Sequence, residues 1–522
     1  MSRRVERAIF AAILVAFLAL FARTCTYDYV WDDVHEIANN ELFDRPLAMG
    51  LGATQMEKSE PGVMEVHDVE LAYDSYRPLL FTSFWLDVQL WGRRPGPMHA
   101  VNIVLALLVI AMAYRIGRQW FGSALALIPA AIVALHPQQV EAVAYISGRG
   151  DVLAALCALV ALSLALVAID AERRRVGVVV VATIALVASL AAKESCVALP
   201  AVVLLVALAR GRLRARWWVG AALAAGGLAY FALRSLVATS TSGHALGAAV
   251  ASLPDVWLSY VQQAVLPFQL SSERVLHHPL GAAGWPIALV LGGGALVAIA
   301  RRRSAPLVSI ALGTLLLALA VAPAAVVIAM TGIAADRYAY AGMIGFGFVV
   351  AGIAAAVAAR AGKYRGFVGA AGIAWALLLV VVTAAQIATW RDNLALYSHA
   401  VAMEPASSQA QYRRAYLDVL ADRWDVALPR LELAIRLDGR NTRARNNLGV
   451  GLLRTGHPAE AEAALQASVD VDPAYFRSWF NLGLAHAAMH RGGEACAAFA
   501  HAVQLNPRYG LAREQLARCT VK

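Results

Sequence analysis

Two rhythms divide this chain. Up to about Trp390, long runs of Ala, Val, Leu and Ile alternate with short polar breaks; beyond it, apolar positions return at helical spacing inside charged sequence. A bilayer crossing needs about 20 apolar residues, and the runs predict about eleven spans. They fall near 5–22, 98–116, 120–136, 152–169, 176–192, 197–209, 217–233, 285–300, 306–329, 340–359 and 366–389. Segment 250–268 is apolar too, but Pro254, Asp255, Gln262, Gln263 and Pro267 interrupt it. That pattern predicts a helix lying along the membrane surface. The expected fold class is all-α: a polytopic membrane bundle over residues 1–397, followed by a helical solenoid over 398–522.

The solenoid is legible as a repeat. Glu404-Pro405, Asp438-Gly439, Asp472-Pro473 and Asn506-Pro507 are spaced 34 residues apart. Asn447-Leu448-Gly449 recurs as Asn481-Leu482-Gly483, and Ala461 recurs as Ala495. A 34-residue period with small residues at the crossing and Pro at the end of each unit is the tetratricopeptide pattern, two antiparallel helices per unit. Three repeats are near the minimum for a stable stack. Trp424 and Trp479 read as core. The concave face of such a stack holds extended peptide, with Asn447 and Asn481 as the candidate contacts; a spacer role is the plainer alternative.

Composition and charge refine this picture. The apolar fraction is 60% and mean hydropathy is +0.60. The net charge of +10 lies in short clusters between spans, without a basic patch interleaved with aromatics, which argues against nucleic acid. With Arg3, Arg4 and Arg7 in the cytoplasm, every dense basic cluster falls on that side: Arg115/Arg118, Arg173–Arg175, Arg210–Arg216, Arg301–Arg303 and Arg360/Lys363/Arg365. The first apolar run reads as an uncleaved helix. An odd number of spans then places the repeats outside the cytoplasm. None of the five cysteines has metal-ligand spacing; Cys496 and Cys519 are available for a disulfide in an oxidising compartment.

The external side collects the chemistry-bearing residues. Loop 23–97 is too long for a connector; it carries Asp32, Asp33, His35, an acidic stretch 57–74 and Tyr76-Arg77-Pro78. Next come His136, Glu141 and Gly148-Arg149-Gly150-Asp151, then Lys193-Glu194, Arg234 and Asp336-Arg337-Tyr338. Arg149 is placed to pair with Glu141 or Asp151, or to hold a phosphate, which its planar fork suits. Arg77, Arg149, Lys193, Arg234 and Arg337 run against the positive-inside bias, and an anionic lipid-linked substrate is an economical reason for them. For each, a satisfied salt bridge is the plainer reading. Gly-rich phosphate loops and Ser-His-Asp orders are absent from the sequence, and the adjacent His277-His278 point apart.

These residues together resemble a family. Trp31-Asp32-Asp33, Ser75-Tyr76-Arg77-Pro78-Leu79, Trp91-Gly92, His99-Ala100-Val101-Asn102, His136-Pro137 with Glu141, Gly148-Arg149 with Asp151, Lys193-Glu194, and Arg337-Tyr338 with Tyr340 precede the repeats. The order resembles the transmembrane and TPR-containing (TMTC-type) protein O-mannosyltransferases and their bacterial relatives. The resemblance implies a GT-C membrane glycosyltransferase fold, polyprenyl-phosphate sugar donors and protein hydroxyl acceptors. It implies a catalytic carboxylate in the first external loop, at Asp32 or Asp33. It also implies donor or substrate contacts among Arg77, His136, Glu141, Arg149, Asp151, Lys193, Glu194, Arg234, Arg337 and Tyr338. The setting it implies is a bacterial inner membrane with the active site and repeats periplasmic. The chain departs from the animal members in having few repeats.

The expected function is transfer of a sugar, mannose by the resemblance, from a polyprenyl phosphate to Ser or Thr hydroxyls. An oligosaccharide ligase or a transferase acting on lipid or glycan acceptors is the first rival. A non-catalytic, membrane-anchored repeat scaffold is the second, disfavoured because a scaffold needs one or two spans. A transporter would place ionisable residues at mid-span instead of at one face.

Overall fold

The computed structural model describes residues 2–48, 76–122, 124–236, 245–276 and 280–519. The acidic stretch 57–74, Ser75 and the His277-His278 pair lie outside the described residues. The rest divides into two compact units, whose boundary in sequence is Asp392–Asn393. That is five residues before the expected end of the membrane domain, because the helix starting at Asn393 belongs with the repeats.

The first unit is built of helices α1 (Arg3–Phe21), α2 (Pro78–Trp91), α3 (Pro95–Phe121), α4 (Leu127–Leu135), α5 (Val140–Ala144), α6 (Arg149–Asp170), α7 (Val176–Ala192) and α8 (Leu199–Ala209). They continue with α9 (Leu213–Arg234), α10 (Ala245–Val265), α11 (Gly284–Ala300), α12 (Ala305–Val321), α13 (Ala324–Thr331), α14 (Met343–Arg360) and α15 (Arg365–Thr389). Each of the eleven expected spans falls on helical sequence, 306–329 on two helices, α12 and α13. Among the described residues, five helical stretches can cross a bilayer by length and composition: Arg3–Thr26, Pro95–Phe121, Ile146–Asp170, Met343–Arg360 and Gly362–Thr389. The pair α12 and α13, bent by 44° at Pro323, makes a sixth; Pro323 lacks the N–H a straight helix would need there. Ala124–Leu135, Val176–Ala192, Glu194–Ala209 and Gly284–Ala300 are apolar but shorter. The full-length crossings are therefore fewer than the apolar runs suggested. Pro137 and Pro200 help explain it, since each opens a new helical turn where an apolar run is cut short.

Segment 250–268 is helical, as expected, up to Val265. One face is covered by protein: Val256 and Tyr260 pack with Val321, Ala325 and Ile328 of α12 and α13. The opposite face leaves Leu246, Val250, Leu258 and Val261 exposed. Among the described residues the extended pairing is a single antiparallel bridge, Val275 to Ile333.

The second unit opens with α16 (Asn393–Met403) and continues with three hairpins: α17 (Ser408–Leu420) with α18 (Trp424–Leu437), α19 (Thr442–Arg454) with α20 (Pro458–Val471), and α21 (Phe476–Ala488) with α22 (Gly492–Leu505). A last helix, α23 (Gly510–Cys519), closes the stack, tied to α22 by the Cys496–Cys519 disulfide. The repeated Asn-Leu-Gly glycines have one cause. A Cβ on Gly449 would come within 2.4 Å of the Leu465 side chain, and one on Gly483 within 2.6 Å of Phe499. Trp424 and Trp479 pack against the repeat cores, as expected.

Candidate active site

After α1 the chain makes a short 3-10 turn, runs extended through Val30, and reverses at Trp31, which sits at φ +55°. That reversal separates the fates of the two aspartates. Asp33 is fully buried. Its Oδ1 accepts the Ser147 N–H at 2.8 Å and the Ser147 hydroxyl at 2.7 Å, and its Oδ2 accepts the Val30 N–H at 3.3 Å. Asp32 is half-buried, and its Oδ2 accepts the Tyr145 hydroxyl at 3.3 Å. Asp33 is thus fastened on three sides, and Asp32 keeps the more open carboxylate.

A third acid, missed in the sequence analysis, belongs with them. The Glu36 N–H donates to the Asp32 carbonyl at 2.7 Å, within a wide helical turn, Val34–Ala38. Burial, and then the neighbouring Asp32, pushes the Glu36 carboxyl up to about 7, against the pull of Ser147, Arg77 and Arg337. Burial pushes Asp33 up to about 7 as well, despite its Ser147 and Val30 bonds. Both folded values exceed the ordinary carboxylate value of roughly 4, so their contribution to stability is complete below it and is lost as pH rises through about 7. The thermal midpoint of the solubilised protein should fall by a few degrees between pH 6 and pH 8, on the order expected for one or two kcal/mol in a chain of this size. A midpoint that is level, or that rises, across that interval contradicts the assignment.

The cations gather on a second group of acids, Glu141, Asp151 and Glu194. Arg337, in the 3-10 turn Asp336–Ala339, pairs with Glu141, lies 4.0 Å from Asp151, and donates its backbone N–H to Glu141 at 3.1 Å. Its guanidinium rests between the rings of Trp31, Tyr145 and Tyr338, with centroids 5.2–5.5 Å away, a geometry that favours a cation electrostatically. Lys193 reaches Asp151 at 2.6 Å and lies 5.1 Å over the Tyr338 ring. Next to it, Glu194 receives Arg77 at 3.2 Å and Arg234 at 2.8 Å. The structure therefore brings Asp32, Asp33, Arg77, Glu141, Asp151, Lys193, Glu194, Arg234, Arg337 and Tyr338 into one linked set.

Two expected site residues are engaged elsewhere. Arg149 is 0% exposed and pairs with Asp87 at 2.6 Å, with neither Glu141 nor Asp151. It also donates to Asn102 at 2.7 Å and to the Met98 carbonyl at 3.0 Å, over the Phe84 ring. These contacts correct the phosphate-holding expectation: Arg149 is a buried tie between α2, α3 and α6. His136 is buried, with Nδ1 accepting the Gln138 N–H at 3.2 Å and Nε2 lying 3.0 Å from the Ala264 carbonyl. The two partners fit a neutral ring protonated at Nε2, closing the end of α4. In the repeats, Asn447 and Asn481 are also buried; their amides donate to Tyr412 and Asn446 on the preceding repeat. They join neighbouring helices and do not lie open to a peptide.

Gly148 explains how the two halves of the His136–Asp151 segment fit. A Cβ there would lie 2.8 Å from the Ala142 carbonyl oxygen and 2.9 Å from that of Glu141, both backbone. Gly148→Ala should displace Ser147 from Asp33, costing about 1–3 kcal/mol by overpacking, read as a lowered thermal midpoint together with reduced activity.

Another positioning pair lies behind Arg337. Asp336 is buried and held by Arg274 at 3.1 Å, while Arg274 lies 5.0 Å over the Tyr260 ring. Tyr260 in turn donates to the Ala335 carbonyl at 2.7 Å. Among the described residues one group of metal-type ligands converges, Glu462, His486 and Glu494 of the repeats. Arg491 lies within it, 2.8 Å from Glu462 and 3.1 Å from Glu494, so it reads as a salt-bridge cluster.

The chain is similar to human protein O-mannosyl-transferase TMTC1, 36% identical over 154 residues, covering 29% of this chain and 17% of that protein. It is 29% identical over 143 residues to the Caenorhabditis elegans protein O-mannosyl-transferase F38B6.6, covering 26% of this chain and 20% of that protein. The match thus spans about a fifth or less of each relative's length. No protein-family model matches the chain. Among solved structures, the Arabidopsis OM64 TPR domain aligns with 22% of this chain and 95% of its own length at 23% identity, with a TM-score of 0.22.

Proposed function

We propose that this protein is an integral-membrane glycosyltransferase moving a sugar, mannose, from a polyprenyl-phosphate donor to Ser or Thr hydroxyls of proteins on the extracytoplasmic face. The observation that carries the reading is the half-open Asp32 carboxylate on the Tyr145 hydroxyl, whose ring lies against the Arg337 guanidinium, with Lys193 beside Arg337 on Asp151 and Arg77 and Arg234 on the neighbouring Glu194. Transfer from a lipid phosphate needs a base for the acceptor proton and positive charge for the departing phosphate. Asp32 takes the hydroxyl proton, Asp33 fixes the turn that presents it, and the cations meet the leaving group. The similarity to proteins named O-mannosyl-transferases supports the sugar and the acceptor.

An apolar hollow lined by Leu266, Phe268, Trp375, Leu378 and Val382 begins next to Ala264, whose carbonyl meets His136. The disulfide in the repeats and the placement of basic clusters support a periplasmic repeat unit in a bacterial inner membrane. There the repeats would receive the acceptor chain.

The test is direct. Purified protein in liposomes, given polyprenyl-phosphate mannose and envelope proteins, should add hexose to Ser or Thr, read by peptide mass spectrometry. Transfer to lipid or glycan acceptors alone, or no transfer by folded protein, would overturn the reading.

A further inference from the structure

Helices α6 and α9 each reach the candidate site with one end, at Asp151 and Arg234. Their other ends, at Asp170 and Leu213, lie roughly 30 Å away by helical rise. The chemistry there is different. Link 171–175, link 210–212 with the first turn of α9, and link 301–304 between α11 and α12 hold ten arginines. Two acids accompany them, Asp170 and Glu172.

The three links converge. Arg212 donates to the carbonyls of Ile169, Asp170 and Ala171 at 2.9–3.2 Å, and Arg216 donates to those of Ala171 and Glu172. Arg174 lies 5.8 Å over the Trp218 ring. Gly211, at φ +67°, sits against Arg302, whose guanidinium a Cβ there would strike. These partners are neutral carbonyls, rings and backbone, so they leave the charge uncancelled. Among the described residues the links make one ion pair, Arg210 with Asp170 at 3.8 Å.

Three helix N-termini open at the same place: α7 at Val176, α9 at Leu213 and α12 at Ala305. Among the described residues none of the three has a side-chain cap, and the N-cap positions of α7 and α9 are Arg175 and Arg212. A helix N-terminus favours an anion and is destabilised by a cation. Donors are left over as well. Arg216 is 7% exposed, and its Nε–H, the Arg210 Nε–H and the Trp218 indole N–H are buried without an acceptor among the described residues. The positive-inside bias accounts for arginines in these links. It does not account for their gathering on helix ends of the same sign.

We propose that this end of the bundle binds the phosphate headgroup of an anionic membrane phospholipid, seated between the α6–α7, α8–α9 and α11–α12 links. The phosphate complements both the guanidinium forks and the uncapped helix ends. The surroundings favour a lipid over a free anion. Trp217 is 58% exposed beside Arg216, and Val176, Val180 and Ile184 are exposed along the start of α7. Acyl chains can lie on those side chains while the headgroup meets the arginines, as in other basic pockets between membrane helices. The bound lipid joins three links that repel one another without it. The seat is independent of the transferase reading.

The experiment titrates the full chain, in neutral detergent, with phosphatidylglycerol, phosphatidylcholine or inorganic phosphate, and reads binding by native mass spectrometry. Arg173→Gln, Arg301→Gln and Arg303→Gln together are expected to weaken phosphatidylglycerol binding about tenfold. All three side chains are exposed, so the fold should persist. Arg3→Gln, Arg4→Gln and Arg7→Gln together remove the same charge elsewhere and should weaken it less than about twofold. In the unmutated protein, backbone amides of 171–175, 210–216 and 301–304 should exchange hydrogen more slowly once phosphatidylglycerol is bound. Equal losses in the two triple variants, or equal binding of the two lipids, overturn the seat. If the first variant fails to fold, unchanged exchange in the three links overturns it instead. The same protection given by inorganic phosphate alone overturns the lipid assignment.

Discussion

Asp32→Asn is expected to lower sugar transfer by about 10²–10⁴-fold, the usual worth of a general base, with the KM for the donor unchanged. The substitution is close to isosteric, and the amide oxygen still accepts the Tyr145 hydroxyl, so the fold should persist. Asp33→Asn should behave differently. Asp33 accepts from Ser147 twice and from Val30 once, and an amide NH2 cannot accept, so at least one buried donor is stranded. Asp33→Asn should therefore lower the unfolding midpoint as well as the rate. Initial-rate assays in liposomes, with melting curves of both variants, separate the roles. An Asp32→Asn protein that keeps more than about a tenth of its activity removes Asp32 as the base.

The second large effect is on folding. Arg149→Met should destabilise the membrane unit by about 3–5 kcal/mol, because it leaves the Asp87 carboxylate buried without its partner. Adding Asp87→Leu should restore most of the loss, since a buried ion pair is replaceable by apolar residues of similar volume. Arg149 also donates to Asn102 and the Met98 carbonyl, so recovery will be partial. The readout is the midpoint of the single and double variants in detergent. If the double variant regains stability but has lost donor binding, Arg149 contacts the phosphate after all.

Much of the site could be read from sequence because its cations stand apart from the dense basic clusters. Arg77, Lys193, Arg234 and Arg337 each lie between those clusters as single charges beside apolar or aromatic sequence, and the structure gathers all four. The repeats were legible for a similar reason, since the 34-residue period is written in Gly449 and Gly483, where a side chain would strike Leu465 or Phe499. What stayed hidden was pairing over distance. Arg149 resembles its site neighbours in sequence, and nothing local says that its partner is Asp87 on another helix. Arg274 lies outside every recognisable motif, yet it holds Asp336 and hence the turn bearing Arg337. Glu36 was within reach: it follows Asp32 by four residues, which places both acids on one face of a helical turn.

Trp31, reversed in the left-handed region at φ +55°, stacks on Tyr145 at 5.7 Å and lies 6.4 Å from Trp390. Two indoles so close, tilted by 31° in a chiral frame, couple their excited states and should give a paired positive and negative band in circular dichroism. Since Arg337 touches the same indole, any molecule that draws that guanidinium away should change the band shape. The chain thus carries its own optical gauge of occupancy, needing no label and no chemistry to report.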